Sequence, residues 1–91
     1  MTRNALDQRN RTLDGQTFIT KDWRGVDFTG ANLSECVFIG CDLRGAVFID
    51  ACLIDSVFRL CDLRDVRASA RDLDGARFDA CQMQQSGEGA R

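Results

Sequence analysis

Histidine and proline are both absent from the chain. Without histidine, a nitrogen-and-sulfur zinc site would have to rest on thiols alone, and the usual acid–base side chain of neutral-pH catalysis is missing. Without proline every residue after the first keeps a backbone N–H, which suits a chain that pairs its backbone along nearly its whole length. No apolar stretch approaches the roughly 20 residues needed to span a bilayer, and no basic-then-apolar leader opens the sequence, so secretion by the usual route is not expected. Long runs of one charge are missing too. Twelve basic residues face fourteen acidic ones, for a net charge of −2, a balance that points neither to polyanion binding nor to a disordered acidic tail. The five cysteines are odd in number and contain no C-x-x-C pair, so they read as reduced thiols of a cytoplasmic protein rather than a disulfide framework.

What the chain does contain is a period. CDLRG at 41–45 returns as CDLRD at 61–65, with a looser copy, KDWRG, at 21–25. Steps of five from Leu13 pass through Phe18, Trp23, Phe28, Leu33, Phe38, Leu43, Phe48, Leu53, Phe58, Leu63, Ala68, Leu73, Phe78 and Met83. Only Ala68 among them is small. Of the chain's Leu, Phe, Met and Trp residues, only Met1, Leu6 and Leu60 fall outside this register. Two residues before these centres runs a second set of mostly small groups: Val26, Ala31, Cys36, Cys41, Ala46, Ala51, Ser56, Cys61, Val66, Ala76 and Cys81.

A period of five is neither the 3.6 of a helix nor the alternation of a long strand. It requires short extended pieces joined by regular corners. Small residue and large centre, two apart, point to one side of a short strand while the residue between them points away. Gly15, Gly25, Gly30, Gly40, Gly45 and Gly75 stand two after a centre, where a tight turn with positive φ favours glycine.

The strings ANLSE, CDLRG, AVFID, CDLRD and RDLDG resemble the A-(D/N)-L-x-x units of the pentapeptide-repeat family. The resemblance covers about residues 11–85. It implies an all-β fold, a right-handed, four-sided (quadrilateral) β-helix solenoid of about four coils of twenty residues. Residues 1–10, with Ala5 and Leu6, are expected to cap the first coil, and 86–91 to form a flexible tail. Residues twenty apart then stack at about 4.8 Å. The core sorts into four columns: Leu13, Leu33, Leu53 and Leu73; Phe18, Phe38, Phe58 and Phe78; Trp23, Leu43, Leu63 and Met83; and Phe28, Phe48 and Ala68. Ala68 interrupts the fourth column, where a local narrowing or a neighbouring side chain is expected to fill the gap.

Three groups of residues bear on function. On the third side Asp22, Asp42 and Asp62 run beside Arg24, Arg44 and Arg64, a pattern that reads as a solvated ladder of opposite charges or as a polar recognition surface. On the second side Ile19, Val37, Ile39 and Val57 are outward and contiguous, with Val47 and Ile49 outward on the fourth; an exposed apolar patch rimmed by charge marks an interface for self-association or for a protein partner, against plain strand propensity. Met83, the last core residue, offers an end contact between copies, since an open solenoid exposes its core cross-section. Cys41, Cys61 and Cys81 form an inward column read as small core filler rather than a metal site. Cys52 is expected to point out, and reads as an exposed spectator first and as the most reactive of the five thiols second.

No catalytic residues, metal site or cofactor are expected. A solid solenoid lacks a concave wall on which acid, base and nucleophile converge, and outward carboxylates such as Asp55 and Asp65 are ordinary surface charges. The expected function is a non-enzymatic protein–protein interaction module, with a protein partner or a second copy of the chain as its occupant and neither nucleic acid nor membrane as its partner. The resemblance also implies an alternative, because some members of the family imitate duplex DNA, bind DNA gyrase and confer quinolone resistance. That mimicry calls for a long acidic rod, which a short, nearly neutral chain with an arginine column does not offer. A further alternative is an accessory, effector or immunity component of a larger bacterial system.

Overall fold

The computed structural model describes residues 6–83. Three-residue strands recur at the spacing of the repeat: β1 (Thr17–Ile19), β2 (Val37–Ile39), β3 (Val57–Arg59) and β4 (Arg77–Asp79). They form one parallel sheet in chain order, with Phe18 beside Phe38, Phe38 beside Phe58 and Phe58 beside Phe78. Three more ladders of single parallel bridges step through the chain at the same interval: Thr12–Asn32–Cys52, Asp22–Asp42–Asp62–Gln82 and Asp7–Asp27–Val47–Arg67. Four ladders offset by five residues make the chain a β-solenoid in which each circuit takes twenty residues.

The corners explain why five residues suffice for one side. After each centre the chain turns, as where Ala31 N–H donates to Phe28 O at 2.9 Å and Ala46 N–H to Leu43 O at 3.0 Å. The third residue of such a turn adopts positive φ, which glycine supplies without strain. At Gly30 a Cβ would also lie 2.2 Å from Asn10 Oδ1, so that the exposed Asn10 side chain would have to swing aside. Asn10, Thr20, Glu35, Asp50, Asp55, Leu60, Asp65 and Ala80 hold the same left-handed conformation without being glycine. The ladder therefore imposes the corner even where the residue type resists it.

Inward side chains fill the interior completely between the ends. Val26, Phe28, Leu33, Cys36, Phe38, Leu43, Ala46, Phe48, Ser56 and Phe58 are fully buried, and Leu53 nearly so. Ser56, the one buried polar side chain among the described residues, donates its hydroxyl to Leu53 O at 2.8 Å. The second-side rings stack at centroid distances of 5.1, 4.5 and 5.2 Å from Phe18 to Phe78, and Phe28 stacks on Phe48 at 5.4 Å. Trp23 meets Phe28 edge-on at 5.3 Å near the start of the solenoid. Within the expected N-terminal cap, the described residues already join the ladder: Asp7 bridges Asp27, Asn10 N–H donates to Thr29 O at 2.9 Å, and Leu6 packs against the core. Residues 1–5 and the expected tail at 86–91 lie outside the described residues.

The β-solenoid is interrupted once among the described residues. Residues Ala70–Leu73 form a helical turn, α1. Ser69 caps it, its Oγ accepting from Asp72 N–H at 3.1 Å while Asp72 Oδ2 accepts from Ser69 N–H at 3.0 Å, a reciprocal capping box. Two substitutions in the repeat account for the departure. Ala68 leaves its unit without an aromatic anchor beneath Phe48. Arg71 occupies the inward position held one circuit earlier by Ala51, where a guanidinium would lose its hydration. Turning helical carries Arg71 out to solvent, and it is exposed. Around Ala68, the side chains of Leu73, Phe78 and Met83 close in and leave a void of about 30 Å³.

The packing predicts position-dependent losses. Phe38→Ala removes a fully buried ring between two stacked neighbours and is expected to cost about 3–5 kcal/mol, whereas Phe78→Ala, at the partly open end, costs clearly less; equal losses by denaturant unfolding contradict this packing. The double change Ser69→Ala/Arg71→Ala removes both the cap and the charge excluded from the interior. It is expected to let Asp72 pair with Cys52, seen as slowed amide exchange at Leu53; exchange as fast as in the parent chain contradicts the assigned cause.

Candidate functional site

The flat second side is built from the parallel register itself. Phe18, Phe38 and Phe58 point inward, so the residues on either side of each point outward and stack: Thr17, Val37 and Val57 in one row, Ile19, Ile39 and Arg59 in the other. Ile19 is 57% exposed, while Val37, Ile39 and Val57 are half-buried by one another. The row ends in charge, with Arg59 Nε 3.4 Å from Asp79 Oδ2. Four of the six apolar candidates thus share one face. Val47 and Ile49 do not join it: Val47 belongs to the Asp7–Asp27–Val47–Arg67 ladder, and Ile49 lines a groove together with Ile54.

Leu60 is a surface residue that sequence reasoning left aside. It is among the most exposed apolar side chains and occupies the positive-φ corner directly after β3. Its signal was present in the sequence: a large apolar residue at a corner otherwise filled mainly by glycine, acidic residues and small side chains. It extends the apolar character of the second side past Arg59.

The third side is a charge ladder. Within each unit the arginine forks onto the aspartate two residues before it: Arg24 Nε and Nη2 each lie 2.9 Å from Asp22, Arg44 makes the same pair with Asp42 at 2.9 and 2.7 Å, and Arg64 repeats it on Asp62. Longer contacts link successive circuits, Arg24 to Asp42 at 3.8 Å and Arg44 to Asp62 at 3.7 Å. Each hydrogen-bonded guanidinium holds its aspartate below the usual carboxylate range. The same fork recurs on the fourth side, Arg9 on Asp7, a copy outside the six candidate residues. Every Asp and Arg of this set is matched, so the face presents alternating, internally satisfied charge.

The thiols divide as their positions dictate. Cys36, Cys41 and Cys61 are buried, and Cys52 and Cys81 are half-buried. The inward thiols donate to main-chain carbonyls of the preceding circuit, Cys36 to Leu13 O at 3.0 Å, Cys61 to Phe38 O at 3.4 Å and Cys81 to Phe58 O at 3.1 Å. Burial pushes the Cys36 thiol up, while the hydrogen bond shared by Cys41 and Cys61 lowers the Cys41 thiol and, together with burial, raises that of Cys61, so the two titrate as a coupled pair. At the far end Met83 is 41% exposed beside half-buried Leu73 and Phe78, an apolar floor below which no further circuit stands among the described residues.

A family model described as a pentapeptide repeat region matches residues 12–87. No curated protein matches the chain significantly.

The acid behaviour of the third side follows from its pairing. Its aspartates titrate lower folded than unfolded, so their stabilisation is complete above the unfolded range near pH 4 and is lost as pH falls through the lower folded values. Thermal unfolding is expected to show a steep loss below about pH 4 that is shallower in an Asp22→Asn/Asp42→Asn/Asp62→Asn variant; identical acid profiles rule out a contribution from the ladder.

Proposed function

Because the chain belongs to the pentapeptide-repeat family, we propose that it serves as a non-enzymatic protein–protein interaction module whose working surface is the flat second side, used for self-association or for a protein partner. The proposal takes the solenoid as right-handed, with about four circuits, and the protein as a cytoplasmic one whose thiols stay reduced. The observation that carries it is the apolar row Ile19–Ile39 on a rigid parallel sheet, flanked by Val37 and Val57 and closed by the Arg59–Asp79 pair. A planar, preformed surface loses little entropy on docking, and an apolar centre with a charged rim is the usual anatomy of an interface.

The charge ladder favours this reading over gyrase binding by DNA mimicry. A duplex-like surface needs uncompensated negative charge at close, regular intervals, whereas each aspartate of the third side is neutralised by its own arginine. An accessory, effector or immunity role in a larger bacterial system is compatible with the same surface and differs only in the partner. No helix among the described residues is long and apolar enough to cross a membrane. The open floor at Met83 is the second candidate for contact between copies.

Light scattering at several concentrations under reducing conditions tests the assignment. The parent chain is expected to self-associate, and Ile39→Asp to abolish this by placing a carboxylate in the centre of the row, while Met83→Asp leaves it intact. An Ile39→Asp chain with unchanged solution mass and unchanged partner binding overturns the second side as the working surface.

A further inference from the structure

The first-side ladder stops one rung early. Asn32 is bracketed by the preceding circuit and by Cys52: Cys52 N–H donates to Ala31 O at 2.9 Å and Leu33 N–H donates to Cys52 O at 2.8 Å. One circuit later, Ala51 C=O and Leu53 N–H stand ready to bracket residue 72 in the same way. Because α1 directs Asp72 N–H to Ser69 instead, neither group is hydrogen-bonded among the described residues. The ladder is intact on both sides of this gap, with Phe48 N–H on Arg67 O at 2.8 Å and Asp55 N–H on Gly75 O at 2.9 Å. Between them opens a groove of about 960 Å³, walled by residues 49–54 above and by Val66–Ser69, Arg71, Asp72 and Asp74 below.

We infer that this open rung is a docking slot for an extended polypeptide segment of a partner protein, whose backbone donates an N–H to Ala51 C=O and accepts from Leu53 N–H, parallel to Cys52. The inference deepens the reading as an interaction module and rests on it, at a site separate from the second side. The vacant groups define the occupant: an acceptor and a donor flanking one residue are matched by the C=O and N–H of a single extended residue, as Asn32 and Cys52 match each other. Strand addition of this kind draws affinity from main-chain bonds and selectivity from side chains beside them. Here the side-chain contacts are mixed. Exposed Ile49 and Ile54 both line the groove, while Arg67 and Arg71 on the lower wall stand against the carboxylates Asp50 and Asp74, Asp72 being engaged with Ser69 and with Asp50 N–H. Charge is thus nearly balanced, so selection falls to backbone pairing and to apolar residues on either side of it. Asp72 Oδ1 already fills the neighbouring vacancy, accepting from Asp50 N–H at 3.2 Å in place of a ladder carbonyl.

The probe is a terminally capped peptide with the sequence of residues 15–20, GQTFIT, whose central three residues this fold itself holds extended as β1. Titrated into the full chain and followed by amide NMR, it is expected to shift the Leu53 N–H downfield saturably. The same peptide N-methylated at every residue but glycine keeps its side chains, loses its donors, and is expected to bind at least about tenfold more weakly. Ser69→Ala/Arg71→Ala, which lets Asp72 fill the rung from within, is expected to abolish the Leu53 shift, and Ile39→Asp to leave it unchanged. No saturable shift at Leu53, or an equal shift with the N-methylated peptide, overturns the slot. Loss of binding in Ile39→Asp also overturns it, while leaving the interaction-module reading in place on the second side.

Discussion

Everything in this molecule depends on main-chain hydrogen bonds between residues about twenty positions apart. A parallel ladder tolerates little slip, because moving one strand by a single residue exchanges inward for outward side chains. Once the circuits are stacked, whatever stands at one position must pack on whatever stands twenty later. Phe18, Phe38, Phe58 and Phe78 satisfy this on the second side, and rings of one shape stack without leaving gaps. The cost appears at the corners, where the register holds Thr20 and Leu60 at positive φ. Thr20 recovers one local bond, its Oγ1 donating to Ile19 O at 2.7 Å, and for the rest the ladder above and below supplies the free energy.

The same stacking rule, applied to outward positions, gives the sides their separate characters. On the third side it sets Asp over Asp and Arg over Arg, and repulsion is relieved because each arginine reaches back two residues before it reaches across to the next circuit. Such a face is solvated and self-contained. On the second side it sets Ile39 beside Ile19 and Val57 beside Val37, creating an apolar strip that no part of the described chain covers. One face has its interactions satisfied from within and the other does not, which is why the second side is the better candidate for a partner.

The fourth circuit shows how the ladder fails and what failure leaves behind. Ala68 and Arg71 together remove an anchor and introduce a charge that cannot enter, and a single capped helical turn is the local solution. The surrounding rungs survive because Arg67 and Gly75 regain their places, so the defect stays confined to a few residues. A confined defect in an otherwise complete ladder produces an isolated donor and acceptor of known spacing. In a solenoid with every rung filled, edges of that kind occur only at the two ends.

Period, core columns and corner positions were legible in the chain because each follows from residue type at a fixed interval of five. The inward burial of Leu33, Phe38, Leu43 and Phe48 and the positive φ of Gly25, Gly30 and Gly45 needed no tertiary information beyond that interval. The outward Asp/Arg and Ile/Val columns were equally legible as columns. Two matters were decided only by the folded chain. How open each outward position is was one of them: Ile19 stays exposed while Val37, Ile39 and Val57 half-bury one another, and Ile49 lies with Ile54 in a groove rather than on an open side. Whether a near-consensus unit such as RDLDG joins the ladder depends on what lies over it: the string carries the repeat signature, but its first residue is an arginine beneath Ala51 and the unit before it lacks an aromatic. Local sequence states a preference for an extended unit, and the neighbouring circuit determines whether there is room for its side chains.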